Sequence, residues 1–426
     1  MEMQNLPGGI QFYSFRDTRF KQGALSIQFI RPMKKEEAAA NALLPAVLLR
    51  GTVDCPDLRS ITLKLDDLYG ASVSTLVRRV GDYQTTGLYC NFMEDRFALD
   101  GDEILSPMVE FVGSLLMNPL LENGCFSTDF VESEKKNLIA TIESEINDKR
   151  TYATAQLMKL LCREDSFGLP RLGEKKDVEA ITPAGLFAHY QKILKESPVQ
   201  VFYVGSAEPA QVAKLLADQF AKITRKIVPL APQTALAVTQ SQHVTEQKAV
   251  AQANLCMGFV TPIVNSSKDY GAIRVMNVLF GAGMTSKLFM NVREKLSLCY
   301  SIGSNYHGTK GIVTVYAGID DEKEEITRQE ILRQLEACQK GEITPRELAA
   351  AKEALLAALQ TVHDSPGSIE NYYSTAVLSQ TPVDHGEYIR CIEAVTAEDV
   401  TRVANTLQYH SSYILKKNES HPNGKE

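Results

Sequence analysis

Long apolar runs are missing from this chain. The longest uncharged apolar stretch, Ala42 to Leu49, falls far short of the roughly 20 residues that cross a bilayer. A membrane partner is therefore not expected. A basic surplus is also missing: 45 lysines and arginines face 52 aspartates and glutamates, giving a net charge of -7. The doublets Lys34-Lys35 and Lys135-Lys136 and the run Glu174-Lys175-Lys176 read as solvated helix surface, so no nucleic-acid partner is expected. Eight cysteines, at 55, 90, 125, 162, 256, 299, 338 and 391, form no CxxC or zinc-like spacing. They read as reduced, mostly buried thiols of a cytoplasmic protein. The N-terminus, MEMQNLPGGIQFYSF, has neither a basic start nor an apolar run, so it is not expected to be a signal peptide.

Catalytic signatures are scarce. Seven histidines stand at 189, 243, 307, 363, 385, 410 and 421. No pair has helical metal-ligand spacing beside a carboxylate, and there is no GxSxG, HExxH or phosphate loop. No cofactor and no metal are expected. FGAGMTSK (280–287) reads as a loop with a helix cap from Thr285 or Ser286. Asp66-Asp67 and Asp320-Asp321 read as solvated acids at element edges. His307 and His363 are the histidines worth inspecting, without a convincing partner set for either.

What is present is duplication. At 44% hydrophobic and 23% charged residues, the chain is ordinary for a globular protein. VEAITPAGLFAHYQKIL (178–194) and IEAVTAEDVTRVANTLQ (392–408) share an acidic-apolar turn, a threonine N-cap and an amphipathic helix. A short strand-like run follows each, at 199–207 and 411–417. TGLYCNFMED (86–95) and VTVYAGIDDE (313–322) both alternate and end in acids. ESEKKNLIATIESEINDKRTYA (132–153) and ELAAAKEALLAALQTVHDSPGS (347–368) share helical character. The expectation is an α+β fold of two homologous tandem domains, each a mostly antiparallel sheet with helices on one face. The domains are expected at 1–225 and 247–417, joined by a linker at 226–246 and followed by a disordered tail at 418–426.

Within the second half, SKLFMNVREKLSLCYSIGSNY (286–306) brings chemistry together. KLFMNVREK reads as a helix with Leu288, Phe289 and Val292 on one face, and LSLCYSIGS as a strand. Arg293 near the helix end and Tyr300 near the strand start can together bind a peptide carbonyl or the oxyanion it becomes. An arginine that snorkels and a tyrosine that packs would show the same pattern.

The tandem halves and the S-x-LF-x-x-x-REK-x-x-L-x-YS context resemble the pitrilysin and mitochondrial processing peptidase family, the inverzincins with the HxxEH signature. The resemblance covers residues 10 to 417. Active members carry HxxEH on a helix shortly ahead of a Gly-Thr; two histidines hold zinc and the glutamate is the general base. Anchored on Arg50-Gly51-Thr52, those positions fall on Ala42, Pro45 and Ala46. Anchored on Glu134-Lys135, the third ligand position falls on Thr141, with Glu143 and Glu145 nearby. All the HxxEH side chains are missing, and a proline worth roughly 3 kcal/mol of helix stability stands in the middle. The resemblance implies a processing-peptidase-like fold, similar to the zinc-less YmfF-like subgroup of Gram-positive bacteria, and no catalytic activity of the chain's own.

In this family the Arg/Tyr pair of one half faces the zinc of another across a chamber, and some members are heterodimers. Phe289, Arg293 and Tyr300 fit that pattern. The expected role is the non-catalytic subunit of a heterodimeric zinc peptidase, partnered by an HxxEH-bearing paralogue, with a homodimer in its absence. An unfolded peptide is the expected substrate, added as a strand near 70–91. The alternative is a zinc-less scaffold; some members of the subgroup are linked by name to maturation of translation elongation factor P.

Overall fold

A computed structural model of the chain describes residues 1–221 and 223–418. Of the tail expected at 418–426, all but Asn418 lies outside the described residues, as does His421. The chain forms two compact units, neither continuous in sequence.

The first unit comprises residues 1–143, 169–232 and 362–375. Its strands are β1 (Glu2–Leu6), β2 (Ile10–Arg16), β3 (Gln22–Pro32), β4 (Ser72–Val80), β5 (Tyr83–Met93) and, after a small hairpin of β6 (Leu121–Glu122) and β7 (Cys125–Phe126), β8 (Val199–Gly205). The sheet order is β1-β2-β8-β3-β5-β4. All its pairings are antiparallel except β2 with β8. β3 shows the alternation of a strand covered on both faces. Leu25, Ile27 and Phe29 enter the main core with Leu43, Leu44, Val47 and Leu48 of the helix Lys35–Leu48. Ser26 and Gln28 point the other way and donate to Glu370 Oε1, at 2.7 and 3.0 Å. Glu370 is fully buried in the helix Pro366–Ser379, where Arg78 of β4 also donates to both its oxygens.

The second unit comprises residues 144–168, 233–361 and 376–426. It is built on β9 (His243–Lys248), β10 (Ala253–Val260), β11 (Ser301–His307), β12 (Ile312–Ile319) and β13 (Gln408–Lys417), in the order β11-β12-β10-β13-β9. β9 runs parallel to β13; the rest is antiparallel. Against this sheet the helix Lys149–Leu161 buries Ala153, Leu157 and Leu161 beside Cys256, Tyr413 and Leu415. The approach is close: a Cβ at Gly258 would stand 2.5 Å from Leu161 Cδ1.

Two boundaries differ from the sequence expectation. Segments 144–168 and 362–375 fold with the sheet of the opposite half of the chain, because an amphipathic helix settles wherever its apolar face finds cover. The expected linker 226–246 runs without helix or strand only to Gln242; from His243 it alternates and adds an edge strand. The threonine caps lie where the repeat puts them. Thr182 accepts from the Gly185 N–H and Thr396 from the Asp399 N–H, and β8 and β13 follow. Among the described residues no helix is long and apolar enough to cross a membrane.

Candidate functional site

Ala42, Pro45 and Ala46 all lie on the helix Lys35–Leu48. Ala42 and Pro45 are buried and Ala46 is half-buried. Pro45 has no N–H for the carbonyl of Asn41, four residues back, so a buried acceptor would stand empty. Thr86 of β5 fills it: its hydroxyl donates to the Asn41 oxygen at 2.7 Å. The helix therefore continues through its proline, and the Leu49 N–H closes the next turn on the Pro45 oxygen at 3.2 Å. A small cavity of about 10 Å³, lined by groups such as Phe29, Leu44, Leu48 and Tyr190, lies against the proline ring.

The polar groups of this helix sit beside the positions that the resemblance aligns with HxxEH, not on them. Asn41 is fully buried and donates to Gln84 Oε1 at 2.8 Å, which leaves its own oxygen to accept from His189 Nε2 at 2.7 Å. That fixes the His189 tautomer with its proton on Nε2. Burial pulls the His189 pKa down to about 4, so the ring is a neutral donor. Burial also pushes the Glu37 carboxyl up, but hydrogen bonds from Lys192 and Arg31 outweigh it and hold it below the usual range.

Thr141, the third-ligand position, is exposed on the helix Thr128–Ser144, and its hydroxyl donates to the Asn137 carbonyl at 3.0 Å. Glu134, the anchor for that register, pairs with Arg50 at 3.1 Å. Glu143 pairs with Lys175. Two alanines and a proline offer no donor atom, so these residues do not fit a zinc ion. Among the described residues no group of three His, Cys, Asp or Glu side chains is arranged to hold one.

The second set lies entirely in the second unit. Residues Leu288–Lys295 form a helix of π type, with the wide Leu296 N–H to Asn291 carbonyl bond that marks such turns. Ser286 accepts from the Phe289 N–H at 3.3 Å, so of the two expected caps this is the one used. Leu288 and Val292 are buried; Phe289 is half-buried, with the Arg293 guanidinium over its ring at 4.7 Å. The chain then bends through Ser297, at φ +50°. The strand begins at Ser301, later than the sequence suggests, which leaves Tyr300 just ahead of it with 62% of its surface exposed.

Arg293, Ser297, Leu298, Cys299, Tyr300 and Lys323 share an open recess of about 340 Å³. Tyr300 donates its phenol proton to Asp320 Oδ1 at 2.8 Å, which raises the phenol pKa. Asp320 is held below the usual range by its bond to Lys323 first and to Tyr300 second. Burial pushes the Cys299 thiol up to about 11, so it is not a nucleophile here.

Asp320 and Lys323 went unread in the sequence, where Asp320-Asp321 looked like plain surface. The hairpin register, Ser301 opposite Gly318, carries the missing signal, since it sets Asp320 beside Tyr300. The two inspected histidines are elsewhere. His307 meets Thr314 Oγ1 at 3.2 Å, and His363 packs its ring edge-on against Tyr373. At the expected peptide edge, Arg171 donates to the Val77 carbonyl and Arg79 to the Leu169 carbonyl, so the chain itself covers the C-terminal part of β4.

A sequence profile described as "Peptidase M16 inactive domain" matches residues 180–355. A Bacillus subtilis protein described as "Probable inactive metalloprotease YmfF" is 29% identical over 419 residues, 98% of each chain. A second B. subtilis protein, "Uncharacterized zinc protease YmxG", is 33% identical over 179 residues, 41% of this chain and 43% of its own. The crystal structure of a conserved protein from Enterococcus faecalis V583 superposes with a TM-score of 0.89 at 27% identity, covering 98% of both chains.

Proposed function

We propose, for a chain that belongs to the peptidase M16 family as an inactive, zinc-less member, that it serves as the non-catalytic subunit of a two-chain zinc peptidase. One observation carries the reading. The residues aligned with HxxEH, Ala42, Pro45 and Ala46, offer no metal ligand, while Arg293 and Tyr300 stand beside one open recess. A guanidinium and a phenol so placed suit a peptide carbonyl and the negative charge that develops on it during hydrolysis. The zinc and its activated water would come from an HxxEH-bearing partner chain. B. subtilis proteins similar to this chain include one described as inactive and one described as a zinc protease, which is the pairing this role needs. Without such a partner a homodimer would lack zinc ligands and would not turn over.

An unfolded peptide is the proposed substrate, extended along β4 where Ser72 to Thr75 leave the edge strand open on the near side of Val77. The equivalent caps at Thr182 and Thr396 support two ancestral halves, 1–225 and 247–417, joined near 226–246.

The test is turnover of an unstructured peptide by the chain purified with an HxxEH relative. Arg293→Ala or Tyr300→Phe should lower kcat roughly 100-fold, the scale of losing one oxyanion donor, with assembly intact by gel filtration. Unchanged kinetics in both variants would favour a scaffold role. That second reading draws on the contacts of the pair to Phe289 and Asp320, which packing alone would also produce.

A further inference from the structure

We infer that Asp320 is a positioning residue for Tyr300: it holds the phenol proton in a resting contact that a peptide carbonyl must displace. The inference rests on the reading of Arg293 and Tyr300 as a carbonyl-binding pair.

A phenol has one proton to donate. In this structure it goes to Asp320 Oδ1 at 2.8 Å. The carboxylate is itself anchored. Lys323 Nζ stands 2.9 Å from Asp320 Oδ2 and donates to the Ser297 carbonyl at 3.3 Å. Ser297 is the left-handed residue at the bend between Arg293 and Tyr300. Lysine, acid and phenol thus form a short chain fastened to the backbone of the site. The Tyr300 main chain is fixed as well, with its N–H on the Gly318 carbonyl at 2.8 Å. Release therefore needs only a side-chain rotation.

The two members of the pair rest in different states. The nearest carboxylate paired with Arg293 is that of Glu294 at 3.7 Å, too long for a hydrogen bond, and the Arg293 side chain is 39% exposed. Arg293 can take a carbonyl oxygen at once. Tyr300 presents lone pairs to the recess until it leaves Asp320. A carbonyl that meets Arg293 alone is held weakly; one that also draws the phenol off the acid is held by both. The contact thus penalises loose encounters, and the cost is the charged hydrogen bond to Asp320.

The test has two readouts. First, the phenolate absorbance of the isolated chain is titrated and that of Tyr300→Phe is subtracted, which isolates Tyr300. The charged and titratable groups sharing its recess are Asp320, Lys323, Arg293, Glu294 and Cys299. Tyr300 should titrate at lower pH in Asp320→Ala than in the native chain, with Asp320→Asn between them, since the amide keeps an acceptor but not the charge. Second, with the zinc-bearing relative and an internally quenched unstructured decapeptide, Asp320→Ala should lower KM roughly threefold to tenfold, the scale of one released hydrogen bond.

An unmoved Tyr300 titration, or an unmoved KM, overturns the inference. If Tyr300→Phe slows turnover while Asp320→Ala changes neither readout, the resting contact fails and the subunit role survives. If Arg293→Ala and Tyr300→Phe both leave turnover unchanged while Asp320→Ala still shifts the titration, the subunit role fails. The contact is then structural only.

Discussion

The hydroxyl of Thr86 should matter because of a proline on another element. Pro45 costs its helix roughly 3 kcal/mol in an ordinary setting, partly from the unmade bond and partly from the ring against the preceding turn. Here the unmade bond at Asn41 is replaced by Thr86, which recovers about 1 kcal/mol. Pro45→Ala would regain roughly the other 2 kcal/mol. It would also remove two ring carbons from a buried site at about 0.8 kcal/mol each. Its net effect should stay within about 1 kcal/mol. Thr86→Val keeps the shape and removes the donor, so it should cost about 1–3 kcal/mol. In the Pro45→Ala background the new N–H reaches the Asn41 carbonyl, and the cost of Thr86→Val should fall by about 1 kcal/mol. The neighbouring residue is the control. Thr85 is equally buried, but its hydroxyl meets no partner among the described residues. Thr85→Val should be neutral or stabilising. Urea unfolding followed by far-UV ellipticity reads these differences, since the chain has no tryptophan. Two results would refute the reasoning: Thr86→Val costing the same in both backgrounds, or Thr85→Val costing as much as Thr86→Val.

Two further outcomes concern the same unit. Burial holds the His189 pKa at about 4 in the folded chain, against 6.5 for a free imidazole. Between those values the unfolded chain binds a proton that the folded chain refuses. The stability from this group is full above about pH 6.5 and declines toward pH 4, by at most about 1.4 kcal/mol per pH unit. His189→Gln keeps an N–H for Asn41 and should flatten that slope in urea titrations repeated across the range. Glu370→Ala should lower the thermal midpoint by removing the acceptor shared by Ser26, Gln28 and Arg78. The loss should be about 3 kcal/mol, the lower end for breaking a buried pair, because Arg78 keeps 24% of its side chain exposed.

The parts of the site that were legible in the sequence are those written as residue identity. The resemblance asks for histidine and glutamate at 42, 45 and 46, and alanine, proline and alanine stand there. The N-caps at Thr182 and Thr396 were legible because capping is local, decided within a few residues. Contacts that depend on register were not. Nothing near position 45 indicates that Thr86 supplies the missing bond, which depends on β5 lying against the helix. Asp320 looked like solvated surface because Tyr300 is 20 residues away, across a hairpin whose pairing only the fold fixes. The placement of 144–168 and 362–375 was hidden for a related reason. Periodicity shows that a helix has an apolar face, but not which sheet will cover it.

On the register the resemblance gives, the helix face at 42, 45 and 46 lacks more than ligands. Positions i, i+3 and i+4 share one helix face, which in active HxxEH members lets two histidines meet a zinc ion with the glutamate base beside them. With alanine and proline there, that face has closed. Ala42 and Pro45 are buried, and the remaining void beside the ring is apolar and near the smallest size that admits a water molecule. Larger polar side chains at these positions would need space their neighbours now fill, at the cost that overpacking carries. The third position faces outward, with its hydroxyl turned back to its own helix. Thr86 adds a tie that is worth most with the proline in place. By contrast, the recess at Arg293 and Tyr300 is open and polar, with Tyr300 exposed. On the subunit role proposed above, that open recess is the surface the partner chain would use.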